Sequence, residues 1–329
     1  MDTEVKIAVG SEGIVKQDTE ISVIVPVVER SDNLERLFLL YYEELSKIKK
    51  SFEFIFIIDA RMKNAYDEIR QLSRKNPNIQ LIIFPRTFGE SNALSVGFQN
   101  AKGRYVFTLS SYLQVEPEET KRLYDALNNN ECDMVICRRS RENDAFFNRV
   151  QTFLFHKILR FFTGTKFGDI SCGLRAMRRE VAEAFDVYGD LHRFIPILAE
   201  HQGLRVKELV VKQRKEDTCL RVYKISTYLY RLIDIVTLFF LLRFTYRPMR
   251  FFGLIGSILI LFGGAINAFL IYNRLFTQGF ALRDKPSLFL ASLLIVIGIQ
   301  IFAIGFIGEI IIYTHSKKGK HFNVKEMIE

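Results

Sequence analysis

The sequence predicts an α/β domain with a parallel-rich sheet and helices on both faces, followed by interfacial helices and two transmembrane helices. Three observations carry this reading. Short β-branched apolar runs alternate with amphipathic helical stretches between Ile21 and Cys137. Two long uncharged apolar runs lie near the C-terminal end, and a basic, aromatic stretch precedes them. The organisation expected is a polar extension over 1–20, a cytoplasmic domain over 21–220, an interfacial region over 221–250, a transmembrane hairpin over 251–312 and a basic tail over 313–329.

Ile21–Val28 (ISVIVPVV) is short, apolar and β-branched, as a strand buried on both faces should be. Asn33–Lys49 carries Leu34, Leu37, Leu39, Leu40 and Leu45 among charges, which predicts a helix. Phe52–Ile58 is the second strand and ends at Asp59. Further strands are predicted at Ile79–Phe84, Tyr105–Leu109 and Asp133–Cys137, with helices at Asn64–Arg74, Ser91–Gln99 and Glu118–Asn128. Such alternation builds a parallel sheet, and its ligands bind beyond the carboxyl ends of strands. Val28, Asp59 and Ser110 stand at those ends. A Gly-x-Gly-x-x-Gly after the first strand and a Gly-x-x-x-x-Gly-Lys-Ser/Thr are both absent, which removes the main support for a dinucleotide or P-loop fold.

Phe251–Tyr272 is a 22-residue run without charge, and Leu288–Gly308 is a 21-residue run with one Gln. Each reaches about 30 Å as a helix, the depth of the hydrocarbon layer. Core helices of a soluble protein would carry a polar stripe, which these lack. The outer flanks hold Arg243, Arg247, Arg250, Lys317, Lys318 and Lys320, against Arg274, Arg283 and Lys285 in the hairpin loop. That bias places both flanks on the cytoplasmic side. The chain is expected to be a multi-pass protein of the inner (cytoplasmic) membrane, with its N-terminal domain and C-terminal tail in the cytoplasm. Tyr223–Leu242, with Lys224, Arg231 and Asp234, reads as a helix in the interface, and Ala145–Phe162 is a second amphipathic candidate. Glu309, at the end of the second span, is expected to be functional or paired.

The 329 residues carry 46 Lys and Arg against 37 Asp and Glu, a net charge of +9. With membrane spans present, the anionic leaflet is a simpler partner for that charge than nucleic acid, which is not expected as a partner. An apolar share of 49% with 25% charged residues excludes disorder of the whole chain. Cys132, Cys137, Cys172 and Cys219 form no Cys-x-x-Cys pair, and the five histidines are scattered, so neither a disulfide scaffold nor a zinc site is expected. Met1–Glu20 is polar and predicts no signal peptide.

Seven segments, in order, resemble those of family 2 glycosyltransferases, in particular the branch of dolichyl-phosphate mannose synthase and bacterial polyprenyl-phosphate hexose transferases. They are Val25–Leu34 (VPVVERSDNL), Phe54–Asp59 (FIFIID), Pro85–Phe98 (PRTFGESNALSVGF), Leu109–Glu119 (LSSYLQVEPEE), Asp169–Arg179 (DISCGLRAMRR), Leu191–Pro196 (LHRFIP) and Gly308–Glu309. The resemblance spans Ile21 to Ile312 and implies a nucleotide-diphosphate-sugar-transferase-like fold of the GT-A type. It implies a nucleotide-diphosphate sugar at the strand ends, a polyprenyl phosphate arriving from the membrane, and Mg²⁺ or Mn²⁺ neutralising the leaving diphosphate. Donor contacts carry over to Pro26, Glu29, Asp59, Arg86, Ser110, Tyr112 and Gln114, and acceptor or phosphate contacts to Arg175, Arg193, Arg214 and Tyr223.

The sequence departs from the family where chemistry is done. The Asp-x-Asp that holds the metal reads Ser110-Ser111-Tyr112, with Leu113 and Gln114 retained, so no metal ligand is assigned. Neutral hydroxyls are poor ligands for hard dications. The Tyr-Asn-Glu after the first strand reads Val28-Glu29-Arg30, and Asp-Asp-Gly-Ser reads Ile58-Asp59-Ala60-Arg61. No catalytic residue is assigned either. Two readings follow: a membrane-anchored glycosyltransferase in which Arg61, Arg86, Arg175 and Arg214 clamp the diphosphate, or a non-catalytic relative acting as a lipid-binding, regulatory or partner subunit. Association with itself or another chain stays open.

Overall fold

A computed structural model of the chain describes residues 19–28, 30–59, 61–140, 157–160, 163–185, 189, 191–214, 217, 233, 235–239, 248–276 and 286–316. Glu29, Tyr223, the extension before Thr19, the hairpin loop over 277–285 and the tail after Ser316 lie outside these residues, as do most of the two interfacial helix candidates. The chain divides into two units, Met1–Ile235 and Val236–Glu329.

Among the described residues, the first unit holds seven strands: β1 (Ile21–Val27), β2 (Phe52–Asp59), β3 (Ile79–Phe84), β4 (Tyr105–Thr108), β5 (Met134–Arg139), β6 (Arg175–Arg178) and β7 (Val206–Val211). They form one sheet in the order β3-β2-β1-β4-β6-β5-β7. β1, β2, β3 and β4 run parallel, as do β5 and β7, while β6 is antiparallel to both of its neighbours. The predicted strands all form. β6 and β7 were not predicted.

Helices α1 (Leu34–Lys47), α2 (Lys63–Lys75), α3 (Glu90–Asn100) and α4 (Glu119–Asn128) match the expected stretches. Asn33 caps α1 by accepting from the Arg36 N–H at 2.7 Å. Alternate residues of β1 face opposite layers. Ile21, Val23, Val25 and Val27 join Phe38, Ile69 and Leu123 in the core under α1, α2 and α4. Ile24 points the other way, against Gly97 of α3. A strand covered on both sides must be apolar throughout, which is why these runs were readable. Beyond β6 come α5 (Arg179–Ala184), a 3₁₀ turn (Leu191–Phe194) and α6 (Ile195–His201).

The second unit is built from α7 (Pro248–Phe276) and α8 (Pro286–Ser316), each long and apolar enough to cross a membrane. Their contact is a seam of small residues. A Cβ on Gly256 would meet the Gly298 carbonyl at 2.7 Å, and one on Gly298 would meet the Gly256 carbonyl at 2.8 Å. Backbones in contact gain dispersion energy that larger side chains would prevent. Glu309 is paired, and its partner is a backbone group: its Oε2 accepts from the Met249 N–H at 3.2 Å. It thereby satisfies one of the orphan donors in the first turn of α7.

Candidate active site

The sheet order puts a topological switch point between β1 and β4, where ligand crevices form in open α/β sheets. The β1–β4 ladder ends at Ile24 and Thr108, and its last bond runs from the Leu109 N–H to the Ile24 carbonyl at 2.9 Å. β1 continues through Val25, Pro26 and Val27, paired with β2 alone. Ile24 and Pro26 face the same side of the strand, so the N–H that proline lacks would have pointed where the ladder has already stopped. Pro26 therefore costs no sheet bond at the place where the β1–β4 ladder ends.

One side of this place is Ser110–Gln114. Gln114 is buried; its Nε2 donates to the Tyr112 hydroxyl at 2.7 Å and its Oε1 accepts from the Gly173 N–H at 2.8 Å. A Cβ on Gly173 would fall 2.0 Å from the Ser110 Oγ, so only glycine lets this loop close over Ser110. Ser111 is buried and donates its hydroxyl to the Arg30 carbonyl, and the Asp32 N–H donates to the Ser111 carbonyl at 3.4 Å. The Arg30 guanidinium lies 4.3 Å from the Tyr112 ring centroid and grips Asp32 through Nε at 2.9 Å and Nη2 at 2.7 Å. In the sequence Arg30 is only the last residue of the altered Val28-Glu29-Arg30 triplet. Its signal was its place at the end of β1, opposite an aromatic residue at the end of β4.

Asp59 ends β2 with its carboxylate buried. Oδ1 accepts from the Arg61 N–H at 3.0 Å and the Thr87 hydroxyl at 3.1 Å, while Oδ2 has no hydrogen-bond partner. Burial pushes its pKa up, but these bonds and the Arg61 charge outweigh it and hold the pKa low. A buried, ionised oxygen without a donor is costly unless something binds it.

The basic positions have different fates. Arg86 is exposed, with its guanidinium 4.8 Å from the Phe88 ring. Arg214 pairs with Glu116 at 3.3 Å, and its N–H donates to the Gln114 carbonyl at 3.0 Å. Arg193 is half-buried in the 3₁₀ turn. Arg175 is buried and donates to the carbonyls of Cys172 at 3.1 Å, His192 at 2.7 Å and Ile170 at 2.8 Å. Those bonds make it a tie between the 170–173 loop and the 3₁₀ turn. Next to it, His192 Nδ1 meets the Ser91 hydroxyl at 3.0 Å and His192 Nε2 lies 3.3 Å from Glu90. Burial raises the Glu90 pKa, yet His192, Arg193 and Arg175 together hold it below the usual carboxylate range.

A second buried cluster went unread. Arg139, on β5, donates to Asp169 through Nε at 2.7 Å and Nη2 at 3.2 Å, to Asp217 at 2.9 Å and to Ser171 at 2.8 Å. Asp169 opens one of the segments that carry the resemblance, while Arg139 and Asp217 lie in none of them. Charges far apart in sequence give no local signal that they meet.

The side chains at the switch point do not fit a divalent ion of the kind the resemblance implies. Ser111 and Tyr112 already have their hydroxyls in protein bonds. Asp59 ends β2, and β1 separates it from the end of β4. Among the described residues, no group of three or more His, Cys, Asp or Glu side chains is placed to hold a metal.

Residues 22–185 match the family model described as Glycosyl transferase family 2. Among solved structures, glucosyl-3-phosphoglycerate synthase from Mycobacterium tuberculosis, in complex with Mn²⁺, UDP-Glc and phosphoglyceric acid, is 16% identical with a TM-score of 0.50 and covers 69% of this chain and 80% of its own. A mannosyltransferase from Pyrobaculum calidifontis, in complex with GDP-Man and Mn²⁺, is 13% identical with a TM-score of 0.50 and covers 93% of this chain and 77% of its own. At these identities the likeness is one of fold, and the fold is GT-A-like. Through the domain that carries this switch point, the chain belongs to glycosyl transferase family 2.

Proposed function

We propose that the protein is a membrane-anchored glycosyltransferase that moves a sugar from a nucleotide-diphosphate sugar to a polyprenyl phosphate. The observation that carries the reading is the union, on one chain, of a family 2 domain with a topological switch point in its sheet and an apolar hairpin of membrane-spanning length. An acceptor with an isoprenoid tail is the substrate for which such an anchor is useful. An acceptor phosphate oxygen attacks the anomeric carbon, the bond from that carbon to the diphosphate breaks, and the nucleoside diphosphate leaves with the electron pair, inverting the centre. A phosphate monoester has a second pKa of about 6, so the nucleophile is already anionic and needs no base. Pro26, Glu29, Asp59, Arg86, Ser110, Tyr112 and Gln114 face the donor in this proposal, and Arg193, Arg214 and Tyr223 the acceptor. Arg175 acts as a positioning residue.

The Ser110-Ser111-Tyr112 stretch favours a second reading, a non-catalytic relative that binds lipid or a partner. Membrane vesicles containing the full chain, supplied with undecaprenyl phosphate and either UDP-Glc or GDP-Man, separate the two. The transferase makes a lipid-linked sugar phosphate. Binding of donor without product supports the second reading.

The same proposal places the first unit and both outer flanks in the cytoplasm. Gln278→Cys is expected to react with an impermeant thiol reagent from outside the cell, and Ser316→Cys only after lysis. The reverse pattern would invert the orientation.

A further inference from the structure

We infer that Arg30 is the diphosphate-binding cation of this site, occupying the electrostatic role that a divalent ion would otherwise fill. The inference rests on the transferase reading and adds to it the residue that answers the leaving group's charge.

The geometry points to Arg30 in three ways. Its position is at the switch point: it follows β1, and the bonds of Ser111 to the Arg30 carbonyl and of the Asp32 N–H to Ser111 lace that segment to the end of β4. Its orientation is fixed. The guanidinium is stacked on the Tyr112 ring at 4.3 Å and held from the side by both oxygens of Asp32. Stacking on the ring removes rotamer freedom before any ligand arrives, as preorganised charge stabilisation requires, while Asp32 holds the Nε and Nη2 edge and competes for it with an incoming anion. The replacement is also reciprocal. Tyr112 stands where the family pattern has a carboxylate, so the residue that removes a metal ligand supplies the platform for an organic cation.

Arg61 reaches back to Asp59 at 3.4 Å, Arg86 lies over Phe88, Arg214 pairs with Glu116 and Arg175 gives its nitrogens to carbonyls. Arg30 is paired as well, with Asp32; its contact with Tyr112 is what sets it apart. A planar guanidinium matches the oxygens of a diphosphate as a lysine ammonium does not. As the bond between the anomeric carbon and the diphosphate breaks, negative charge collects on the departing oxygen, and a fixed cation there stabilises the transition state more than the bound donor.

The test uses the full chain in detergent micelles with EDTA present, and inorganic pyrophosphate as the probe, followed by titration calorimetry. Arg30→Gln is expected to weaken pyrophosphate binding about ten- to hundred-fold, the size of a charge-assisted contact, with the ligand-free melting temperature unchanged. Asp32→Asn, which removes the competing carboxylate, is expected to tighten it. Because that variant keeps Arg30, it remains informative if Arg30→Gln folds poorly. Failure of the unmodified protein to bind pyrophosphate in EDTA would overturn the inference, as would equal binding by Arg30→Gln. UDP-Glc or GDP-Man binding that needs Mn²⁺ and ignores Arg30→Gln would also overturn it, while leaving the transferase reading standing. Arg30-dependent pyrophosphate binding, with neither sugar nucleotide bound, would uphold the cation site and count against the transferase reading.

Discussion

Arg139→Met is expected to cost the first unit about 3–5 kcal/mol, the largest stability loss of any single change described here. The side chain has 6% of its surface exposed, and its partners Asp169 and Asp217 have 1% and 2%. Removing the cation leaves two carboxylates close together out of water, with hydrogen bonds from Ser171 to Asp169 and from Gln213 to Asp217 but without the positive charge between them. The loss does not measure what the cluster contributes. Replacing Arg139, Asp169 and Asp217 together by apolar residues of similar volume is expected to be far milder, because the desolvation cost disappears with the charges. Chemical denaturation in detergent, followed by circular dichroism, reads both. A single variant that loses less than about 1 kcal/mol would mean that water reaches the cluster.

Gly173→Ala is expected to reduce sugar transfer about a hundred-fold while costing about 1–3 kcal/mol of stability. The new methyl would lie 2.0 Å from the Ser110 hydroxyl and 2.9 Å from the Ser110 backbone nitrogen. The loop cannot simply retreat. Its N–H is bonded to Gln114 at 2.8 Å and its carbonyl accepts from the Thr108 hydroxyl at 2.8 Å. Ser110 is the part that yields, and a shift of about 1 Å at a reacting site is enough for the loss. Adding Ser110→Ala removes the closest contact and is expected to restore part of the activity, read as product formed in vesicles. No change in rate on Gly173→Ala alone would show that Ser110 does not touch the donor.

The parallel half of the sheet was legible because burial on both faces demands unbroken apolar runs such as Phe54-Ile55-Phe56-Ile57-Ile58. β6 was not, since Arg175-Ala176-Met177-Arg178 looks like a charged turn. Only the fold reveals that Arg175 is buried with its nitrogens on backbone carbonyls. β7 mixes Lys207 and Glu208 with valines, and its half-exposed residues blur the alternation. For the site, strand ends led directly to Asp59 and Ser110. The pairing of Arg30 with Tyr112 joins residues 82 positions apart in number, and a contact of that kind belongs to topology rather than to any local pattern.

The glycine seam of the hairpin has a kinetic consequence. With Gly256 and Gly298 touching through main chain, no isoprenoid tail can thread between α7 and α8. On the proposed reaction, the acceptor tail packs against the outer walls of the hairpin, where Leu261, Phe262 and Phe289 are exposed. Encounter is then a search in two dimensions. The turnover rate should follow the mole fraction of acceptor in the bilayer rather than its amount per volume, and diluting the membrane with inert phospholipid should slow it at constant total acceptor.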